Sequence, residues 1–110
     1  MFTLTQFINA LSALLKNGNL PVTFFDFLTP CSIMDIEVLE DGVLLLFEFE
    51  RELDGSIDGE DLLQRLQTLL KENPEIKNFP VMFNEDVNTI MMVKVTGLNI
   101  SEQDECIELF

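Results

Sequence analysis

The sequence contains no histidine, tryptophan or tyrosine, and its 6 Lys and Arg face 20 Asp and Glu, which gives a formal net charge of −14 over 110 residues. Without histidine, the chain lacks the side chain that most often serves as a general base or a metal ligand near neutral pH. A domain that binds DNA or RNA needs a basic face, because Lys and Arg release the counterions that supply most of the affinity. These absences argue against direct nucleic-acid binding and against most histidine-dependent chemistry.

Long apolar runs and targeting signals are also missing. No stretch approaches the roughly 18 consecutive apolar residues of a membrane span. Residues 1–18 lack the basic region and the small-residue cleavage site of a secretory signal. Cys31 and Cys106 are far apart and form no CxxC pair, so we expect two free thiols. We therefore expect a cytoplasmic protein with no membrane association.

The sequence offers no residue set for catalysis, cofactor binding or a specific metal site. Cys31 or Cys106 as a nucleophile would lack a histidine base, and the chain's five glycines form no phosphate-binding loop. Residues 54–61 resemble an acidic calcium loop, but the twelfth position from Asp54, which needs Glu, is Arg65. We predict no enzyme activity and no cofactor, and leave open weak divalent-cation binding by clustered carboxylates.

What the sequence does contain is apolar material for a core. Hydrophobic residues make up 47% of the chain and ten residues are Phe, so the chain should fold despite its charge. Its length suits one core and is too short for two independent domains.

The first half of the chain reads as one helix followed by three strands. Thr3 and Gln6 have the spacing of a capping box, and Gly18 follows the helix as a stop. Alternating or β-rich residues predict strands over 21–25, 32–38 and 43–50, with turns near Thr29-Pro30 and at 40–42. The helix should bury the face formed by Leu4, Phe7, Leu11, Leu14 and Leu15.

The second half repeats this order. Asp58 is positioned to cap a second helix, which Asn73-Pro74 should end. Strands are predicted over 80–83, 89–95 and 106–109, which match 21–24, 32–38 and 46–49 in residue class. Such self-similarity is typical of a duplicated unit.

The expected fold is therefore α+β, a tandem duplication within a single domain of residues 1–110. Residues 1–50 form the first helix-strand-strand-strand unit, 51–57 a linker, and 58–110 the second unit. We expect antiparallel sheet, with the helices packed on one face. The strand residues predicted to face the helices are Met34, Ile36, Val38, Val43, Leu45, Phe47, Phe49, Met91, Val93, Val95, Ile107 and Leu109.

The opposite sheet faces are part apolar, which is unusual for an antiparallel face turned to water. Two interpretations remain open. In the first, the two units pack these faces together or join into one sheet. In the second, another molecule covers them, either a partner protein or a second copy of the chain, and a second copy would make a homodimer. The residues predicted for such a partner or dimer contact are Phe25, Phe27, Leu44, Leu46, Ile90 and Met92.

Acidic residues concentrate around the junction of the two halves. One interpretation is a solvated face that maintains solubility. The other is a surface that mimics the phosphates of nucleic acid and occupies a basic groove on a partner protein. The residues predicted for this partner-binding surface are Asp35, Glu37, Glu48, Glu50, Glu52, Asp54, Asp58, Glu60 and Asp61.

The helix, loop and Pro-Val strand over 11–22 and again over 62–81 resemble small α+β proteins of bacteria and phages. In size and acidity the chain also resembles the acidic anti-restriction and anti-CRISPR proteins of phages, several of which mimic nucleic acid. That resemblance implies an inhibitor that binds a basic protein surface. The chain is similar as well to acidic secretion chaperones, but the strand over 106–110 stands where those usually place a helix. This second likeness implies, as the alternative function, a chaperone or assembly module that uses the apolar sheet face.

Overall fold

The computed structural model describes residues 1–88 and 91–110. Within them the chain forms two α-helices and seven strands, with short 3-10 turns at Glu50–Glu52 and Pro74–Ile76. The elements are α1 (Leu4–Leu14), β1 (Val22–Asp26), β2 (Thr29–Val38), β3 (Val43–Phe49), α2 (Gly59–Glu72), β4 (Val81–Asn84), β5 (Met92–Lys94), β6 (Leu98–Ser101) and β7 (Cys106–Leu109).

Both helices begin as the sequence predicts. Thr3 and Gln6 form the capping box of α1, in which the Thr3 hydroxyl accepts from the Gln6 N–H and the Gln6 amide oxygen accepts from the Thr3 N–H. The Asp58 carboxylate accepts from the Asp61 N–H, 2.9 Å away, at the start of α2. Asn73 caps the other end of α2. These local patterns need no tertiary information, because caps pair groups within one turn.

The strands of both halves join one mixed sheet in the order β5-β4-β3-β2-β1-β7-β6. The prediction of a purely antiparallel sheet is wrong, because β1 pairs with β7 and β3 pairs with β4 in parallel. The α+β class is confirmed. The tandem duplication is not, because β1, β2 and β3 pair consecutively, whereas β7 leaves β4 and β5 to join the opposite side.

The sheet curls until its two edges lie near each other. β5 and β6 occupy opposite edges of the order, yet only residues 95–97 connect them. At this junction the Val95 N–H donates to the Val81 carbonyl, and Gly97 and Phe110 exchange backbone hydrogen bonds. Strand β6 was not predicted. Helices α1 and α2 contact each other, and their buried side chains belong to the same core cluster as those of the strands.

The inner face of β2 differs from the prediction because its register slips. A β-bulge interrupts the β2–β3 pairing between Ile33 and Asp35, which reverses the alternation along the strand. Ile33 precedes Met34 on the strand and was therefore expected on the opposite face, yet it is fully buried, whereas Met34, predicted to face a helix, is 48% exposed. Val38 and Met91 were also expected inside and are exposed instead. The other residues predicted to face inward are buried or half-buried, namely Ile36, Val43, Leu45, Phe47, Phe49, Val93, Val95, Ile107 and Leu109.

The β1–β2 turn also lies elsewhere than predicted. It consists of Phe27 and Leu28, while Thr29 and Pro30 already belong to β2. No helix within residues 1–88 and 91–110 is both long enough and apolar enough to span a bilayer.

Candidate protein-binding surfaces

An open groove of about 400 Å³ lies between strand β2 and helix α2. Strand β2 pairs with β1 only over Thr29–Ser32, and the carbonyl of Ile33 accepts from the Ile57 N–H. Beyond this point β2 is paired on its β3 side alone, among the described residues. The groove is lined by Asp35, Ile36, Asp61, Gln64, Arg65, Thr68 and Leu69.

This groove brings together two acidic residues that the sequence placed 26 positions apart, Asp35 and Asp61. Asp61 accepts a hydrogen bond from the Arg65 side chain at 3.1 Å, one helical turn away on α2. Asp35 accepts from the N–H of its neighbour Ile36 and remains exposed. The groove therefore has acidic walls on both sides, with one arginine already paired inside it.

A second part of the predicted acidic surface lies where β3 ends. Glu48 and Glu52 line an open depression of about 580 Å³ together with Phe49 and Arg51. Arg51 forms a 3.7 Å ion pair with Glu52, and its guanidinium lies 5.1 Å from the centre of the Phe49 ring. Both side chains of this ion pair are largely exposed, and such pairs contribute little to stability.

The remaining predicted acids have no common site. Glu37 is exposed on β2, Glu50 and Asp54 are exposed near the 3-10 turn, and Glu60 is exposed on the first turn of α2. Asp58 is half-buried and serves as the α2 cap. Of the nine predicted residues, this last one therefore has a structural role that accounts for its presence.

The protein covers the predicted contact residues of the apolar sheet face unevenly, and Met92 among them is 46% exposed. Leu44 is only 5% exposed, and Phe25 and Leu46 are half-buried. A small groove of about 250 Å³ remains open on this face. The groove is lined by Met34, Leu44, Leu46, Phe47, Glu48, Asn84, Val87 and Met92. The predicted contact residue Ile90 lies outside the described residues.

Asn84, in the same groove, is a polar residue whose burial is explained by its hydrogen bonds within the fold. Its amide oxygen accepts from the Phe47 N–H at 2.7 Å, and its amide nitrogen donates to the Phe47 carbonyl at 2.9 Å. The side chain thus continues the β3–β4 pairing beyond Leu45 and Phe83 in the way a backbone amide would. Both of its polar atoms are engaged within the fold, so Asn84 is not a ligand-binding candidate.

Two strongly exposed apolar residues form the β1–β2 turn. Phe27, which the sequence predicted as a contact residue, is 94% exposed, and Leu28, which it did not, is 92% exposed. Leu28 was missed because the Pro30 signal drew the predicted turn two residues downstream. Asp26 and Thr29, which flank the turn and pair across it, were the residues from which its true position could have been predicted.

The cysteines are buried and unsuited to nucleophilic chemistry. Burial raises the pKa of the Cys31 thiol above its ordinary value, and the Asp26 and Glu48 carboxylates raise it further, against a backbone hydrogen bond that lowers it. Burial likewise raises the pKa of Cys106, with a smaller opposing effect of a Thr23 hydrogen bond. Both thiols are therefore protonated and weakly nucleophilic at neutral pH.

No group of three or more Cys, Asp or Glu side chains in residues 1–88 and 91–110 is arranged to hold a metal ion. Neither a protein-family model, nor a curated protein, nor a solved structure matches this chain. The two grooves, the acidic residues and the exposed turn are therefore the features on which a function has to be argued.

Proposed function

We propose that this chain is a non-enzymatic interaction protein whose acidic surface occupies a basic, nucleic-acid-binding surface of a partner protein and so inhibits it. The main support is the groove between β2 and α2, where Asp35 and Asp61 stand on opposite walls of a chain with a net charge of −14. A groove with acidic walls attracts Lys and Arg side chains and repels phosphates.

Electrostatics favours this proposal over a purely solubilising role for the acids. A net charge of −14 on a small domain exceeds the magnitude of roughly 2–8 that is sufficient for solubility. The excess charge destabilises the compact state through self-repulsion. A basic partner would remove that repulsion on binding, and long-range attraction would accelerate the encounter.

The direct test combines a capture experiment with matched variants. The immobilised protein is exposed to cell lysate at low salt, and bound proteins are displaced with duplex DNA. The surface variant, Asp35→Asn/Glu52→Gln/Asp61→Asn, neutralises acids that line the groove between β2 and α2 and the depression where β3 ends. The control variant, Glu72→Gln/Glu75→Gln/Glu102→Gln, neutralises three acids elsewhere on the surface. Both variants change the net charge equally, so they separate a located surface from bulk charge.

We expect the wild type and the control variant to capture the same nucleic-acid-binding proteins, which duplex DNA displaces. The surface variant should capture them at least tenfold less. An equal loss of captured protein in both variants would show that net charge, and not a located surface, determines binding. Capture of proteins that resist both high salt and DNA would contradict a basic binding surface on the partner.

A second candidate is a chaperone or assembly module that uses the apolar sheet face. The observation that favours it is the open groove containing Met34 and Met92, which are adaptable contact residues. Because Leu44 is buried, Met34→Ser/Met92→Ser tests this function without disturbing the core. Loss of a partner in this folded variant, with binding retained in the acidic surface variant, would favour the second candidate.

A further inference from the structure

The turn between β1 and β2 has an unusual backbone. Asp26 and Thr29 pair across it, so the loop contains only Phe27 and Leu28. Both residues have positive φ, 48° and 70°. Two-residue hairpin loops with positive φ at both positions favour Asn-Gly, because bulky L-residues are strained there. The sequence thus places two large apolar residues where small or polar ones fold best.

Packing of the two side chains does not compensate for this strain. The two side chains are 94% and 92% exposed, so they have almost no contact with the core. Among the described residues, the other exposed large apolar side chains reach at most 64%. Strained backbone that the fold does not use is typical of functional sites. Exposed apolar residues on a charged surface are likewise typical of interfaces.

A groove lies at the base of this turn. It has a volume of about 380 Å³, and its walls include Phe25 and Phe27 of the hairpin and the exposed Met91. Three acids also line it, of which Glu85 is exposed, Asp86 half-buried and Asp26 buried. The site therefore combines aromatic and methionine contact surface with an acidic rim.

Charge identifies the kind of partner that fits. A second copy of the chain would bring another net charge of −14, and an anionic membrane would be repelled for the same reason. A helix with one apolar face and flanking Lys and Arg meets both requirements, since its apolar side chains would pack on the turn and its cations would face the acids. We infer that the Phe27–Leu28 turn and this groove bind a cationic amphipathic helix of a partner protein.

This inference rests on the proposed function, because that function supplies the basic partner. It adds an apolar anchor at a defined position, since a few residues that become desolvated on binding contribute most of the affinity of an interface. It also places the anchor on the β1–β2 turn, away from the groove between β2 and α2.

The test uses two synthetic peptides of equal charge. One contains Lys and Leu, with Leu at helical spacing, and the other has Gln in place of every Leu. Each is titrated against the wild type and the turn variant Phe27→Asn/Leu28→Gly by calorimetry. The control variant is Val38→Ser, which removes an exposed apolar side chain about 30 Å away along β2, by strand rise.

We expect the Leu peptide to bind the wild type and the control variant at least tenfold more tightly than the Gln peptide. The turn variant should lose this difference and keep its affinity for the Gln peptide. Because Asn-Gly suits the turn, the variant should also melt at a higher temperature than the wild type.

Each contrary result has a separate meaning. A difference between the peptides that persists in the turn variant would overturn the inference, as would a lower melting temperature, which would show that the fold needs these side chains. Equal binding of the two peptides would overturn the anchor and leave the proposed function standing. Absence of binding to both peptides would overturn both. Turn-dependent binding to phosphatidylcholine vesicles, or a turn-dependent dimer in sedimentation, would replace the inferred partner.

Discussion

Strand β2 has a turn at each end, and the two turns differ in residue type and in backbone strain. The turn into β3 contains Glu40, Asp41 and Gly42, and the Leu39 N–H donates to the Gly42 carbonyl at 2.8 Å. It fits the usual chemistry of turns. The turn from β1 consists of Phe27 and Leu28, with strained φ and both side chains in water. The same chain therefore contains one turn with favourable residues and one with unfavourable residues. The unfavourable turn, Phe27–Leu28, indicates a role other than folding.

The two ends of the β3–β4 pairing extend this comparison. Near Gly42 the Val43 N–H donates to the Pro80 carbonyl, so backbone closes the pair. At the other end the Asn84 side chain holds both polar groups of Phe47. One end therefore depends on backbone and the other on a single amide.

The largest effect is expected from breaking the end that depends on Asn84. Asn84→Ala leaves the Phe47 N–H and carbonyl buried without their partner, and each should cost about 1–3 kcal/mol of unfolding free energy. Urea unfolding measures this loss. Asn78→Ala, at an exposed asparagine, is the control and should change stability little. A small loss at Asn84 would mean that backbone pairing, not the amide, holds this end.

Removing the glycine from the ordinary turn should have the next largest effect. A Cβ at Gly42 would collide with the Met82 side chain and lie 3.1 Å from the Pro80 carbonyl oxygen. The Met82 methyl group can move aside but the Pro80 carbonyl cannot, so we expect Gly42→Ala to lower the unfolding free energy by about 1–2 kcal/mol. Met82→Ala vacates the space for that Cβ, so a double-mutant cycle should recover part of the loss. Additive effects of the two substitutions would contradict the steric cause.

Alkaline pH acts on the end of β2 that carries the strained turn, where the Cys31 thiol donates to the Thr29 carbonyl. The folded-state pKa of Cys31 is raised above 9.0, so above that pH the unfolded chain loses its thiol proton first. Stability is then fully present below pH 9.0 and is lost as pH rises through the folded pKa. Histidine and tyrosine are absent, so neither an imidazole nor a phenol contributes to this pH dependence.

The corresponding experiment follows the thermal midpoint from pH 7 to pH 10 in the wild type and in Cys31→Ala. The midpoint of the wild type should fall more steeply than that of the variant. Cys106→Ala serves for comparison, since its pKa is raised as well and it lies on β7, away from the turn. Parallel curves for all three proteins would contradict a raised pKa of the thiols.

The smallest effect is expected from putting a glycine into the strained turn. Leu28→Gly removes the steric cost of positive φ and should raise the unfolding free energy by about 1 kcal/mol. Urea unfolding with an unchanged m-value would show this. Glycine is thus expected to stabilise one end of β2, while its removal destabilises the other. A loss of stability in Leu28→Gly would contradict strain at the turn.

Sequence patterns anticipated the parts of the fold that depend on near neighbours. Thr3 with Gln6 and Asp58 with Asp61 act within one helical turn, so their caps could be read directly from the chain. The β2–β3 hairpin was predicted for the same reason. The bulge after Ile33 reverses the alternation because it inserts one extra residue, and the Ile33 carbonyl beside it bonds to Ile57, which is distant in sequence.

The sequence predicted which residue types form the candidate site but not how the fold brings them together. The acidic character of Asp35 and Asp61 was evident, but their meeting across one groove depends on α2 lying beside the unpaired edge of β2. The exposure of Leu28 depends on a shift of two residues in the turn, which the nearby proline obscured. Both depend on packing that no local pattern encodes.

The parallel pairing of β1 with β7 has a consequence for how the protein folds. Val22 pairs with Ile107, so β1 acquires its second neighbour only after almost the whole described chain has been synthesised. Pairings of such high sequence separation slow folding, because a long loop must close before they stabilise anything. During synthesis the nascent β1–β2–β3 meander therefore exposes a bare strand edge beside Phe27 and Leu28, and this is the interval in which aggregation competes most strongly with folding.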